Sequence, residues 1–110
     1  MTLPDMFAHK LCALGERITP RDIYDVLFFL QNRTKINADI VQLRTGMSVN
    51  DYALQCAKQV GAYSSRILMQ GLGEVLPDNK SKNFARRQLI PETAVALEIF
   101  SLCPLIENYK

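Results

Sequence analysis

The sequence has little of several residue types that would mark particular classes of protein. Its 110 residues include no tryptophan, one histidine, five glycines and five prolines. Such sparse glycine and proline exclude a collagen-like rod and a low-complexity tract. The longest apolar run, Val26 to Leu30, is far shorter than the ~18 residues of a membrane-spanning helix, so no membrane span is predicted. Asp5 precedes every basic residue, which is unlike a signal peptide.

Cysteine is also scarce, and its pattern bears on the cellular compartment. Cys12, Cys56 and Cys103 are widely spaced, odd in number and without a C-x-x-C pair. This pattern predicts reduced thiols in a cytoplasmic protein, with Cys12 and Cys56 in the core. Because His9 is the only histidine, no metal site is predicted within the chain.

Charge and hydrophobicity are those of an ordinary globular domain. Thirteen basic and eleven acidic side chains give a net charge of +2, and 48% of residues are apolar. A domain this weakly basic gives no general argument for nucleic-acid binding. The apolar content is sufficient for one hydrophobic core.

Apolar residues recur at helical spacing along the whole chain, and no strand-like alternation or hairpin turn is present. The first helices are predicted from Pro4-Asp5 to about Gly15, from an N-cap at Thr19 to about Asn32, and from Ala38 to Arg44. Later helices are predicted from Ser48 to Gly61, around Tyr63 to Leu68, and from the turn at 76–79 through Pro91 to Cys103. The prediction is an all-α, single compact bundle of five or six helices over residues 1–110.

Basic residues on the first helix form the first candidate site. Lys10, Ala13 and Arg17 are spaced i, i+3 and i+7, which places them on one stripe of a helix. Two cations separated by a small residue would form a cleft floor on which an anion can lie. The alternative is a solvated face on which Lys10 and Arg17 point to water.

Carboxylates on the second helix are the second candidate. Arg21, Asp22 and Asp25 share an arc of about 100°, and Tyr24 and Phe28 lie outside it, away from the acids. A helix apolar nearly all round is normally buried, so its carboxylates need partners. In one interpretation Asp25 pairs with Arg21, while Asp22 lies in the first turn, where the helix dipole favours an anion.

The second interpretation gives these carboxylates a function. A short loop makes the two helices antiparallel neighbours, so Asp22 or Asp25 would face Lys10 and Arg17 as a base or a metal-side carboxylate. An open cleft in which Lys10, Arg17 and Asp22 do not satisfy one another would indicate a site. Closure of both acids by Arg17 and Arg21 would indicate structural ion pairs.

A family resemblance arises from these same residues. The pattern K-x-x-A-x-x-x-R (Lys10, Ala13, Arg17) followed by R-D-x-x-D (Arg21, Asp22, Asp25) resembles the C-terminal motifs of AbiEii/AbiGii-type nucleotidyltransferases. These proteins are the toxins of bacterial toxin–antitoxin and phage-defence systems. The flanking AHKLCALGER and PRDIYDVLFFL are similar to that family as well. The resemblance is strong over residues 5–31 and loose beyond them.

The resemblance implies a role for each motif residue. Family members carry an N-terminal DNA polymerase β-like domain, whose Gly-Ser motif and paired aspartates hold Mg²⁺ and a nucleoside triphosphate. By position, Lys10 would contact the phosphates and Asp22 would complete the catalytic site. Arg17 and Arg21 would be supporting phosphate-binding cations, and Asp25 a second carboxylate. Such a site accelerates phosphoryl transfer by positioning and charge neutralisation.

The chain also departs from the family pattern. No glycine is followed by serine, and no D-x-D is present. We therefore expect the chain to be a C-terminal helical portion without the catalytic domain, unable to transfer a nucleotide alone. No cofactor is expected in these residues by themselves. Expected partners are the missing nucleotidyltransferase half, an antitoxin, or a second copy through the apolar segment Ile99 to Tyr109.

Two further functions remain open. The first is a helical protein-interaction module whose Asp and Arg residues are structural pairs. The second is an RNA-binding accessory domain, in which basic residues surround Phe84; these are Lys80, Lys82, Arg86 and Arg87. A solvated basic face with Phe84 in the core is the simpler interpretation of that segment.

Overall fold

The computed structural model describes residues 2–72 and 76–107, and these residues form a helical bundle. The first five helices are α1 (Leu3–Glu16), α2 (Pro20–Gln31), α3 (Ala38–Thr45), α4 (Val49–Gly61) and α5 (Ser65–Leu72). A last, unbroken helical run consists of α6 (Asn79–Phe84), a π-helical turn (Ala85–Leu89) and α7 (Ile90–Leu102). With this run counted as one helix, the described residues contain six, which confirms the predicted all-α bundle.

Side-chain caps fix where the helices begin. The Thr19 hydroxyl accepts a hydrogen bond from the Asp22 N–H, and Pro20 occupies the first helical position, where no N–H is needed. Asn37 and Ser48 cap α3 and α4 in the same way. Gly46 ends α3 with φ of 71°, a left-handed conformation that glycine adopts without strain. These boundaries agree with the prediction.

The π-helical turn lies immediately before Pro91. Proline has no N–H to donate to the carbonyl four residues earlier, and its ring crowds that carbonyl. A wider turn in front of the proline moves the carbonyls away, so the helix continues instead of breaking. The sequence predicts a helix that runs through Pro91, and in the structure the run continues there by a local change of helix type.

The core is centred on α1 and on the packing of α4 against α7. Phe7 of α1 is fully buried and stacks on Phe29 of α2, with ring centroids 5.1 Å apart. The Phe100 ring of α7 lies 5.5 Å from the same Phe7. This aromatic cluster joins three helices, and each fully buried ring contributes about 1.5–3 kcal/mol of transfer free energy. Cys12 and Cys56 are buried thiols.

A short backbone bridge holds the segment after α7 against the α2–α3 loop. Ile36 donates its N–H to the Leu105 carbonyl at 2.7 Å, and the Glu107 N–H donates to the Ile36 carbonyl at 2.9 Å. This parallel bridge is the one β-type pairing within residues 2–72 and 76–107. It fixes where the chain leaves α7.

Two helices, α2 and α7, expose apolar side chains. Tyr24 and Phe28 of α2 are 38% and 58% exposed, so the prediction that α2 is buried nearly all round is wrong. On α7, Val95, Ile99 and Leu102 are exposed as well. Both helices are apolar on more faces than the bundle covers. No helix in the described part of the chain is long and apolar enough to cross a membrane.

Candidate functional site

The site is built on the hairpin of α1 and α2. The connection between them spans only Arg17 to Thr19, and so short a link makes the helices antiparallel neighbours. Residue pairing shows this directly, because Phe7 meets Phe29 whereas the later residue Lys10 meets the earlier Asp25. The hairpin therefore brings the K-x-x-A helix and the R-D-x-x-D helix side by side, as the sequence predicts.

One lysine lies between two aspartates at the centre of this hairpin. The Lys10 Nζ is 3.0 Å from Asp22 Oδ1 and 3.0 Å from Asp25 Oδ2. The side chains of Lys10, Asp22 and Asp25 are 38%, 16% and 32% exposed, so the group is open to water on one side. Asp25 thus pairs with Lys10, and the interpretation in which Asp25 pairs with Arg21 is wrong. Arg21 precedes Asp25 by four residues on the same helix, but Lys10 of α1 is the cation that forms the ion pair.

The electrostatics of the group keep the lysine charged. Hydrogen bonding to Asp22 and then to Asp25 raises the pKa of Lys10 above its ordinary value, against a smaller opposing effect of burial. Asp22 also lies in the first turn of α2, as predicted, where the exposed N–H groups favour a negative charge. Two carboxylates around one ammonium leave the group with a net charge of about −1. Lys10 is therefore held as a fixed point charge.

The two predicted arginines do not join this group. Arg17 follows the last residue of α1 in an extended conformation (φ −157°), so the i+7 stripe through Lys10 and Ala13 ends before it. Arg21 lies on the exposed side of α2. Neither guanidinium makes an ion pair with another residue in the described ranges. The acids face Lys10, as the second interpretation predicts, but both pair directly with it, which neither interpretation predicts.

A shallow groove borders Lys10 on the side facing α3. Its volume is about 410 Å³, and it is lined by Met6, His9, Lys10, Ala13 and Arg44. Lys10 and Ala13 thus line a groove as predicted, but Arg44 takes the place expected for Arg17. Arg44 is held by Glu16 Oε1 at 2.9 Å and by the His9 ring at 3.1 Å. Since arginine can only donate, His9 Nδ1 is the acceptor there. Nothing in the local sequence around Arg44 indicates this position.

The residues of the hairpin do not form a metal site. Within the described residues no group of three or more His, Cys, Asp and Glu side chains is placed to hold a metal ion. The oxygens of Asp22 and Asp25 that face each other already surround the Lys10 ammonium. The pair therefore does not fit a Mg²⁺ ion while Lys10 occupies the space between the carboxylates. Both cations of the groove are already paired with carboxylates, Lys10 with Asp22 and Asp25, and Arg44 with Glu16.

The basic segment around Phe84 forms a separate surface. Lys80, Arg86 and Arg87 are exposed, whereas Phe84 is half-buried at the edge of the core. A groove of about 240 Å³ lies between α2 and α6 and is lined by Tyr24, Lys80, Ser81 and Phe84. The aromatic ring is thus only in part a core residue.

With this geometry described, comparison with known proteins assigns the chain to a class. A model of the family described as "Nucleotidyl transferase AbiEii toxin, Type IV TA system" matches residues 1–98. The chain belongs to this toxin family, which confirms the resemblance inferred from the motifs. The match extends well past residues 5–31 and includes the helices that looked least characteristic. No curated protein and no solved structure matches the chain.

Proposed function

We propose that these residues form the helical part of a nucleotidyltransferase toxin, in which Lys10 contacts the phosphates of a nucleoside triphosphate. Asp22 and Asp25 hold the Lys10 ammonium in place and protonated, and Asp22 is the carboxylate nearer the reacting groups. Arg17 and Arg21 add positive charge at the loop end of the hairpin, where α1 and α2 are connected. The proposed acceptor of the nucleotide is a macromolecule bound elsewhere, and the proposed regulator is an antitoxin protein.

The observation that carries this proposal is the position of Lys10 at a groove. Its ammonium is fixed by the two carboxylates of the R-D-x-x-D helix, and its side chain forms part of the groove wall opposite Arg44. A cation that is already oriented loses little conformational freedom when it binds a phosphate. Family membership over residues 1–98 supports the reaction class.

The metal-binding steps are assigned to residues outside this hairpin. Gly-Ser and D-x-D are absent from the 110 residues, and the Asp22–Asp25 pair encloses a lysine. We propose that a further nucleotidyltransferase segment supplies the Mg²⁺ ligands and much of the triphosphate contact. The 110 residues alone are then expected to transfer no label from any nucleoside triphosphate to RNA or protein. Measurable transfer would contradict this part of the proposal.

Phosphate binding by the chain itself can be tested by NMR. Titration with ATP should perturb the Lys10 side-chain resonance, and Lys10→Gln should weaken the apparent affinity at least about fivefold, or ~1 kcal/mol. Lys58→Gln is the matched control, because Lys58 is an exposed lysine on α4 without an ion pair in the described residues. Equal affinity in both variants would refute the role of Lys10.

A second titration separates a site from a structural ion pair. If the aspartates only neutralise Lys10, the Asp22→Asn/Asp25→Asn variant should bind ATP more tightly because a repulsive charge of about −2 is removed. If Asp22 also orients Lys10 for phosphate, the double variant should not bind ATP more tightly. Lys10→Gln should still weaken ATP binding. The interaction-module alternative predicts no dependence on Lys10 in either background.

A further inference from the structure

The outward side of α7 is apolar although it faces solvent. Ile90, Leu97 and Phe100 face the core, while Val95, Ile99 and Leu102 on the opposite side are 53%, 64% and 83% exposed. The spacings of four and three residues between these exposed side chains are those of a coiled-coil seam. A helix that is apolar on all sides is normally covered on all sides.

Two grooves lie beside the exposed side chains of α7 and form one continuous surface with them. One groove of about 430 Å³ is lined by Leu27 and Val95 among others, and a second of about 390 Å³ by Leu30 and Cys103. Both include Ala96 and Ile99, so they meet in the middle of α7. We call the α7 face the surface made by these side chains: Leu27, Leu30, Val95, Ala96, Ile99 and Leu102.

Opposite charges lie at the two ends of the α7 face. Glu92 lines the groove at the start of α7, and Arg33 lines the groove at the end near Cys103. Both side chains are exposed, and neither forms an ion pair within residues 2–72 and 76–107. At 1.5 Å per residue, Glu92 and Cys103 are about 16 Å apart along the helix. The face is thus acidic at one end, apolar in the middle and basic at the other.

We propose that the α7 face binds the same face of a second copy of this chain. A two-fold axis near Ile99 makes the two α7 helices antiparallel, so Glu92 of each copy lies against the Arg33 end of the other. A parallel arrangement would place like charges together. The surface is therefore complementary to itself in one orientation, as an isologous dimer requires.

The dimer leaves the lysine–aspartate group accessible. Asp25 and Leu27 are two positions apart on α2, which places them about 200° apart around the helix axis. The α7 face and the Lys10 hairpin are consequently on different sides of α2. The proposal is independent of the proposed phosphate-binding role of Lys10, and either can fail without the other.

The first test is the oligomeric state across concentration. Sedimentation equilibrium from about 1 to about 200 µM should show a reversible monomer–dimer equilibrium. Ile99→Asp should weaken dimerisation at least about tenfold, or ~1.4 kcal/mol, because a charge would be buried at the two-fold axis. Ile67→Asp is the matched control, since Ile67 of α5 is 52% exposed and lies off the α7 face. Circular dichroism should show unchanged helix content in both variants.

The second test examines the orientation. Glu92→Arg and Arg33→Glu should each weaken the dimer, and the double charge reversal should restore it, because the opposite charges meet again. In a Cys103→Ser background, I99C should form an intermolecular disulfide under mild oxidation, since residues near a two-fold axis meet their own copies. I67C should not cross-link.

Several results would refute the proposed dimer or its orientation. A chain that stays monomeric at the highest concentration, or a dimer that Ile99→Asp leaves intact, refutes the proposal. Protection of the α7 face from hydrogen exchange only when a different protein is added also refutes it. Failure of the double charge reversal to restore association would exclude the antiparallel orientation.

Discussion

The α1–α2 hairpin and α7 are both helical and both partly exposed, yet they meet solvent in different ways. In the hairpin, the lysine and both aspartates at its edge find partners within the chain. Along α7, the exposed side chains Val95, Ile99 and Leu102 are apolar, and residues 2–72 and 76–107 leave them uncovered. The charged groups of the hairpin are thus paired within the chain, whereas the α7 face is the surface that we propose binds a second copy. Substitutions in each region should have different effects on stability, and these effects test the comparison.

The largest contrast is between a buried ring and an exposed aliphatic residue. Phe7→Ala should lower the free energy of unfolding by about 3–5 kcal/mol, because it leaves a cavity between Phe29 and Phe100. Ile99→Ala in the monomer should change it by less than about 0.5 kcal/mol. Urea denaturation at low protein concentration measures both. Similar losses for the two variants would mean that α7 is covered in the monomer.

Close packing between α1 and α4 gives the second contrast. A Cβ on Gly15 would overlap the hydroxyl of Tyr52, which donates a hydrogen bond to the Cys12 carbonyl at 2.8 Å. Gly15→Ala should therefore cost about 1–3 kcal/mol. Gly61→Ala is the control, since its nearest neighbour would be the Ala94 Cβ at 3.9 Å. That change should be neutral or slightly stabilising in thermal denaturation.

Alkaline pH should act on the buried core before it acts on Lys10. Burial raises the pKa of the Cys56 thiol from 9.0 to about 12, so the folded chain retains a proton that the unfolded chain releases. This contribution to stability is complete below pH 9 and is lost as pH rises toward 12, by up to ~1.4 kcal/mol per pH unit. Burial raises the pKa values of Cys12 and Tyr52 in the same direction.

Denaturation at several pH values measures this slope. Cys56→Ala should reduce the slope above pH 9, whereas Cys103→Ala should not, because Cys103 is exposed. An unchanged slope in Cys56→Ala would contradict the assignment. Lys10 has a raised pKa as well, so its ion pairs persist until the pH exceeds the ordinary lysine value of 10.5.

The smallest effects are expected in the ion group itself. Asp22→Asn should cost about 1 kcal/mol and Asp25→Asn less, because Asp22 is the more buried and each change leaves Lys10 one partner. A double-mutant cycle with Lys10→Met isolates each pair. A loss of several kcal/mol for Asp22→Asn would favour a purely structural group. A neutral or stabilising change would favour a site residue.

The sequence predicted what is local and missed what depends on how helices are rotated against one another. Helix starts at Thr19, Asn37 and Ser48 follow from caps within three residues. The partner of Asp25 could not be predicted in this way, because it depends on which side of α1 faces α2. Arg44 lines the Lys10 groove and pairs with Glu16, which is 28 residues earlier in the chain. No spacing rule connects residues so far apart. The roles of Lys10, Asp22, Arg17 and Arg21 in nucleotide transfer remain predictions.

The apolar periodicity also could not predict which apolar side chains are exposed. Tyr24, Phe28 and Val95 belong to helices whose apolar residues surround the axis, so periodicity cannot tell the core side from the outer side. In such helices the pattern establishes only that more than one side needs a partner.

The π-helical turn before Pro91 lets the last helical run absorb a change of length. A π-turn accommodates one residue more than an α-helical turn. Deletion of one residue from Ala85–Leu89 would therefore convert the π-turn into an α-helical turn and leave α6 with nearly the same orientation about the helix axis relative to α7. The basic side chains of α6 and the core contacts of α7 would both keep their sides. A single-residue deletion at this turn is thus a change of chain length that neither surface of the bundle need register.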